Sequence, residues 1–373
     1  MKNTMNIRKA RKLIKTPGLF FRDFLNKKYP INHHTEVKLS EEEEQNLIET
    51  QFDYFSSIKL ENCLDIDVVF TWVNDKDSEW RSKFNTAKGI LPDSQAGLYA
   101  KDSARFSNHN ELYYSLRSVK KHIPWVRNIY IVTDNQKPGW YTEVDYPNVH
   151  IIDHNVIIDK QYLPTFNSHV IEAHLHNIPG LSENFIYFND DVFIARDLPK
   201  THFFRANGIA SIFLAKKNLS DMVKKGVQTP TLHASSKGAA LLATYYHQTI
   251  DNTLVHTYVP LKKSSYQQAW VMFHDEIKSF LSHKFRTNHD LNMATFLVPW
   301  LMYFEKKSIP MVDICYYFNI RTANALSQYK KLLLKQKQGR QPHSFCANDF
   351  HSGHTIPNYQ NKLIEMLDIY FKD

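Results

Sequence analysis

Residues 184–193 read NFIYFNDDVF: five strand-forming residues, then Asn189-Asp190-Asp191, then Val192-Phe193. A short run of Phe, Ile and Tyr without polar alternation reads as a strand buried on both faces. Two ionised carboxylates side by side at its carboxyl end repel each other, so a cation or a proton must compensate. A hard divalent ion at that position neutralises a diphosphate. The competing reading is an ordinary turn, where Asn and Asp are common.

Working outward, the same pattern recurs twice. Ile66 to Val73 (IDVVFTWV) is an apolar strand that runs out into Asn74-Asp75-Lys76-Asp77, and Val126 to Val132 (VRNIYIV) is another, ending at Thr133-Asp134. Between them, Leu112, Leu116, Val119 and Ile123 share one face of a helix spanning Glu111 to Ile123. Asn108 with Glu111 gives that helix a capping signal, and Pro124 stops it. Ser168 to His176 reads as a further helix ending near Pro179-Gly180. This is an α/β rhythm. Open parallel sheets bind ligands beyond the carboxyl ends of their strands, so Trp72 to Asp77, Asp134 and Asn189 to Asp191 are expected to form one floor. No glycine-rich dinucleotide fingerprint follows the first strand and no Walker A loop is present, which argues against NAD(P) chemistry and P-loop ATP hydrolysis.

The second half reads as mostly helical, over Lys237 to Tyr246, Tyr266 to Phe280 and Leu291 to Tyr303. The apolar run Ala294 to Phe304 is a core helix, too short to cross a membrane. Lys330 to Gln341 is a basic run, an exposed loop or helix face. The expected fold class is α/β, a Rossmann-like sheet core with a helical second half. The expected domains are a basic arm and helix over 1–60, with Ser40 and Glu43 as a capping box, a catalytic domain over 61–355, and a C-terminal helix over 356–373.

The 373 residues carry 46 Lys and Arg against 38 Asp and Glu, a net charge of +8 that suits nucleotides, phosphopolymers or an anionic membrane face. The 3 cysteines, Cys63, Cys315 and Cys346, are widely spaced, which argues against a disulfide scaffold or zinc knuckle and for a reducing compartment. No signal peptide and no transmembrane span is expected. Residues 1–30 mix Lys and Arg with Phe20, Phe21, Phe24 and several aliphatics, so this arm lies on an anionic bilayer or packs on protein.

Single residues also stand out. Asp67 lies inside the first strand, where a charge must face either a buried ion-pair partner or a site. Arg105, Asn108, Glu111 and Arg117 surround a helix start, itself an anion site. Among the histidines, His169, His256 and His274 are the notable ones; a histidine accepts a proton near neutral pH. Arg286 has the planar fork that grips phosphoryl oxygens. Asn348-Asp349 is a further acidic contribution if the chain folds back to the sheet, and otherwise a loop before the last helix. Periodicity does not bring these residues together.

Four blocks of this sequence resemble the Stealth family of sugar-phosphate transferases: IDVVFTWVNDKDSEW (66–80); ARFSNHNELYYSLRSVKKHIPWVRNIYIVTDNQKPGW (104–140), extended by LPTFNSHVIEAHLHNIPGLSENFIYFNDDVFI (163–194); HTYVPLKKS (256–264) with KFRTNHDLN (284–292); and SFCANDF (344–350). Asp75 stands where the family commonly has Gly, and Ser107 or Asn108 where it has Asp. The resemblance implies a nucleotide-sugar-transferase-like sheet and transfer of N-acetylhexosamine 1-phosphate, best read as N-acetylglucosamine 1-phosphate, from a UDP-sugar to a growing capsular glycan. The rival readings are a glycosyltransferase that releases UDP and, remotely, a glycan-binding protein without activity. By the same resemblance Asp77, His256 and Arg286 are catalytic, and Asp190 and Asp191 hold Mg²⁺ or Mn²⁺. Asp67, Asn74, Arg105, Asn108, Glu111, Arg117, Asp134, His169, Asn189, Asn348 and Asp349 are assigned to the donor. The implied partners are the UDP-N-acetylhexosamine donor, the growing glycan, capsule assembly proteins and an anionic membrane, with no nucleic acid. The implied location is the cytoplasm, peripheral to the inner membrane.

Overall fold

Ile66–Thr71 forms β1, and every residue from Ile66 to Phe70 is fully buried. In the computed structural model of this chain the described residues are 17–18, 20–21, 39–56, 63–90, 106–350 and 355–372. The expected membrane arm over 1–30 therefore lies, but for four positions, outside the described residues, as does Arg105. Met1–His34 and Thr35–Asp373 are separate compact units.

β1 pairs in parallel with β2 (Ile129–Thr133) on one side and β4 (Asn184–Asn189) on the other. β3 (Val149–Asp153) extends the sheet beyond β2, and β8 (Val259–Lys262) closes the far edge antiparallel to β4. The strand order is β3-β2-β1-β4-β8. This is the Rossmann-like sheet expected from the sequence, with the chain reversing direction across the sheet at β1. β1 and β4 are apolar along their length because both faces are covered.

The helices follow the apolar periodicity, with adjusted ends. α1 (Glu41–Ser56) starts in the anticipated capping box: Ser40 Oγ accepts from Glu43 N, while Ser40 N donates to Glu43 Oε2 at 2.9 Å. α2 (Ser78–Ile90) leaves the β1 loop. α3 (Glu111–His122) buries Leu112, Leu116 and Val119 as read, but Asn108 does not cap it. The N-cap is Asn110 at φ 69°, and Asn108 Oδ1 instead accepts from Asn110 N at 2.9 Å. The helix expected over 168–176 is a single short turn, α4 (Ser168–Glu172), followed by a 3₁₀ turn.

In the second half α5 (Pro230–Tyr246), α6 (Lys263–Met272) and α7 (Val298–Phe304, entered through a π-turn) occupy the three expected helical stretches. The basic run belongs to α8 (Ala323–Lys337), and α9 (Tyr359–Tyr370) ends the chain. Two small sheets were not legible. β6 (Ala210–Asn218) is flanked by β7 (Asn252–Leu254) and β9 (Ser308–Met311). The other has the order β10-β11-β5, from Cys315–Asn319, Ser344–Asn348 and Val192–Ile194. Its strands are three to five residues long, too short to reveal a period. β11 decides the site: its antiparallel pairing sets Cys346 opposite Val192 and so returns the chain, more than 150 residues later, to the Asp190-Asp191 turn.

Candidate active site

A cavity of about 560 Å³ opens over the carboxyl ends of β1, β2 and β4. Its floor carries Glu111, Asn189, Asp190 and Asp191. Asn348 Nδ2 donates to Asp191 Oδ2 at 2.8 Å, and Cys346 Sγ lies 3.3 Å from the same oxygen. Asp191 Oδ1 is buried without a hydrogen-bond partner. Asn189 Oδ1 accepts from the Tyr187 hydroxyl, which also meets Thr71 Oγ1, each at 3.0 Å.

The floor is overcharged. Burial, and then the Asp191 carboxylate, raise Asp190 to about 7. Burial and then Asp190 push Glu111 well above the usual carboxylate range. Three carboxyl groups this close ionise together only around a cation. The residues therefore fit a divalent metal. One ligand atom from each of Asp191, His256 and Cys346 also lies within 4.8 Å of the other two.

The opposite wall is cationic. Arg286 lines the cavity, with Nε donating to Ser168 Oγ at 2.8 Å and Nη1 to Thr231 Oγ1 at 3.2 Å. Among the described residues no carboxylate comes within ion-pair distance of it, and burial lowers its pKa. Its loop is fastened by Asp290, which is fully buried and accepts from Asn167 Nδ2, Thr287 N and Thr287 Oγ1 and pairs with the rings of His169 and His283. Thr229, Pro230 and Thr231, the first turn of the 17-residue α5, line the same wall. A helix N-terminus and a guanidinium both favour an anion there.

His256 lies in the bend between β7 and β8. Its Nε2 is buried without a hydrogen-bond partner, and its ring meets Tyr317 edge-on at 5.2 Å. Trp80, Phe106 and Phe166 form an aromatic end wall, with Phe84 and Phe285 packed behind. Asp134 and His154 line the β2 and β3 end; Lys83 Nζ lies 3.1 Å from Asp134 Oδ1, and burial lowers His154 to about 4, so its ring is neutral.

Of the residues singled out in sequence, the fold brings Glu111, Asp134, Asn189, Asp190, Asp191, His256, Arg286, Asn348 and Asp349 to the cavity. Arg105 lies outside the described residues, and Asp67, Asn74, Asp77, Asn108, Arg117, His169 and His274 are not on its lining. Asp67 accepts from Arg127 Nε at 2.9 Å and Nη2 at 2.7 Å, and from Ser182 N at 2.7 Å, at the entry end of β1. Asp77 Oδ1 caps α2 by accepting from Trp80 N at 2.7 Å. Asn74 is bonded through its backbone to Gln136, and Arg117 donates to Phe371 O on the C-terminal segment. His169 is buried against Asp290. Asp349, though on the lining, is gripped by Arg321 and by His109 Nε2 at 3.0 Å; against the cost of burial these hold it below its usual range. Ser168, Thr231, Trp80, Phe166 and Tyr317, which line the cavity, and Cys346, which is buried against Asp191, were missed, because nothing in their local sequence marks them as part of a site.

An acidic floor facing an arginine held by hydroxyls and a helix N-terminus is the equipment of an enzyme that handles a phosphorylated substrate. The model of Stealth protein CR2, conserved region 2, matches residues 105–212. A capsular polysaccharide phosphotransferase of Actinobacillus pleuropneumoniae is 59% identical over 99% of this chain and 100% of its own length. One of Actinobacillus suis is 59% identical over 99% and 100%, and one of Neisseria meningitidis 56% identical over 98% and 100%. The chain belongs to the Stealth family. No helix among the described residues is long and apolar enough to cross a membrane.

Proposed function

We propose that this chain is a capsular polysaccharide phosphotransferase that moves N-acetylhexosamine 1-phosphate from a UDP-sugar to a hydroxyl of a growing glycan and releases UMP. The observation that carries this reading is Arg286: a cavity-lining guanidinium held by two hydroxyls, with no carboxylate among the described residues within ion-pair distance of it. It faces the same cavity as the first turn of α5 and the acidic floor, so the space suits a diphosphate. The acceptor oxygen attacks the phosphorus that bears the sugar oxygen. The bond from that phosphorus to the oxygen leading to UMP breaks, and the anomeric bond is kept.

In this reading His256 Nε2 takes the acceptor proton, since it lies in the cavity wall with its ring nitrogen unengaged. Arg286 holds the non-bridging oxygens where charge shifts during transfer. Asp77 acts through Trp80, fixing the aromatic wall. Asp190 and Asp191, with Glu111, would hold Mg²⁺ or Mn²⁺, which supplies neutralisation of the diphosphate. N-acetylglucosamine is the preferred sugar, and residues 1–30 hold the enzyme on the cytoplasmic face of an anionic membrane. The test is the identity of the released nucleotide across a panel of UDP-sugars, with phosphorus NMR of the product. UMP and a phosphodiester are expected; release of UDP would replace this reading with plain sugar transfer.

A further inference from the structure

Magnesium takes oxygen ligands, yet β11 sets a thiol against the acidic floor. Cys346 is fully buried and takes part in no disulfide, and its sulfur lies 3.3 Å from Asp191 Oδ2. His256 Nε2 and Asp191 Oδ1 are both buried without a hydrogen-bond partner. One ligand atom from each of the three residues lies within 4.8 Å of the others. A carboxylate oxygen, an imidazole nitrogen and a thiolate sulfur form a donor set for zinc, not for magnesium. Around tetrahedral zinc, bonds of about 2.0–2.3 Å put ligands roughly 3.5 Å apart, so small side-chain rotations close this set on an ion. Asp191 and His256 also line the cavity.

We propose that Asp191, His256 and Cys346 form a thiophilic cation site, filled by Zn²⁺, that overlaps the magnesium floor. On binding, the ion displaces the thiol proton to solvent and occupies the lone pair of His256 Nε2. Its effect on turnover, unlike the binding itself, rests on the reading of His256 as proton acceptor.

Full-length protein stripped of metal is titrated with Co²⁺ as a spectroscopic stand-in for zinc. The expected result is a near-ultraviolet thiolate-to-cobalt band with tetrahedral visible bands, removed by one equivalent of Zn²⁺. C346S should lose the ultraviolet band, while C63S and C315S keep it; Cys315 is the demanding control, because its sulfur lies 3.4 Å from the His256 carbonyl. Because Cys346 is packed in a strand, H256Q is the second variant. Circular dichroism checks its folding, and loss of a ligand should weaken Zn²⁺ by at least the roughly 10–100-fold that a second-shell change costs. A wild-type protein without the band, a band that survives in C346S, or unchanged zinc affinity in H256Q overturns the site. Zinc is then added to turnover assays in excess Mg²⁺. Inhibition that is lost in the residual turnover of C346S supports the site and the role of His256 together. Zinc that binds as described without inhibiting supports the site and removes His256 from the reacting atoms.

Discussion

Arg286 Nε donates to Ser168 Oγ at 2.8 Å, joining two residues 118 positions apart across the cavity wall. The bond fixes the plane of the guanidinium without neutralising its charge. Arg286→Lys keeps the charge and loses the fork, so kcat/KM for the UDP-sugar is expected to fall by roughly 10²-fold, the loss of a charge-assisted pair of bonds. Steady-state kinetics with a parallel melting curve checks this; near-normal turnover in R286K would assign Arg286 to the fold.

His256→Ala is expected to lower turnover by roughly 10²-fold or more, the scale of a lost proton acceptor. Its melting temperature should change little, since Nε2 makes no hydrogen bond in the fold. Activity lost only together with folding, seen by circular dichroism, would contradict the assignment.

The floor couples metal to pH. Asp190 is raised to about 7 by burial and by Asp191, against about 3.9 in an unfolded chain. Between those values the folded protein keeps a proton that the unfolded chain has released, so this group lowers stability as pH rises through the window. In the proposed role of the floor, a divalent ion takes the place of that proton. The Mg²⁺-induced rise in melting temperature is therefore expected to be small near pH 5 and larger near pH 8, about one unit beyond the raised value. Scanning calorimetry at both pH values checks it, and an equal shift at both would remove Asp190 from the metal. Chelation is expected to abolish turnover and readdition to restore it.

Asp290 is the opposite case. Against the cost of burial, its hydrogen bonds to His169, His283 and Thr287 hold it well below the usual carboxylate range. A depressed acid contributes stability above its unfolded pKa of about 3.9 and loses it as pH falls toward the folded value. Asp290→Ala leaves buried donors unpaired and is expected to cost about 3 kcal/mol or more. Urea unfolding of the variant at neutral pH reads this directly, and its stability should depend less on pH in the acid range than that of the parent chain.

Removing residues 1–30 is expected to reduce cosedimentation with anionic vesicles and to leave turnover on a soluble primer near normal. Equal vesicle binding by the truncated chain would rule out the arm as an anchor.

The sequence by itself determined the three central strands of the main sheet, β1, β2 and β4, and the residue types of the floor. Both are local properties: unbroken apolar runs such as IDVVFTWV and NFIYF demand burial, and the polar residues that end them fall at the carboxyl edge of any parallel sheet. Asp190 and Asp191 were legible for that reason. What only the tertiary structure decided was which distant side chains join them. Asp67 and Asp77 carry the same charge as Asp191, yet one is spent on Arg127 and the other on the start of α2, because each is nearest to those partners in the folded chain. Cys346 and Asn348 reach Asp191 through a three-residue antiparallel register between β11 and β5, and Arg286 reaches the cavity through a loop tied down by Asp290. The contacts of Asn348 and Cys346 with Asp191, and of Asn167 with Asp290, span more than 100 residues and leave no period in the sequence. They follow from sheet pairing and burial, which act on the whole chain at once.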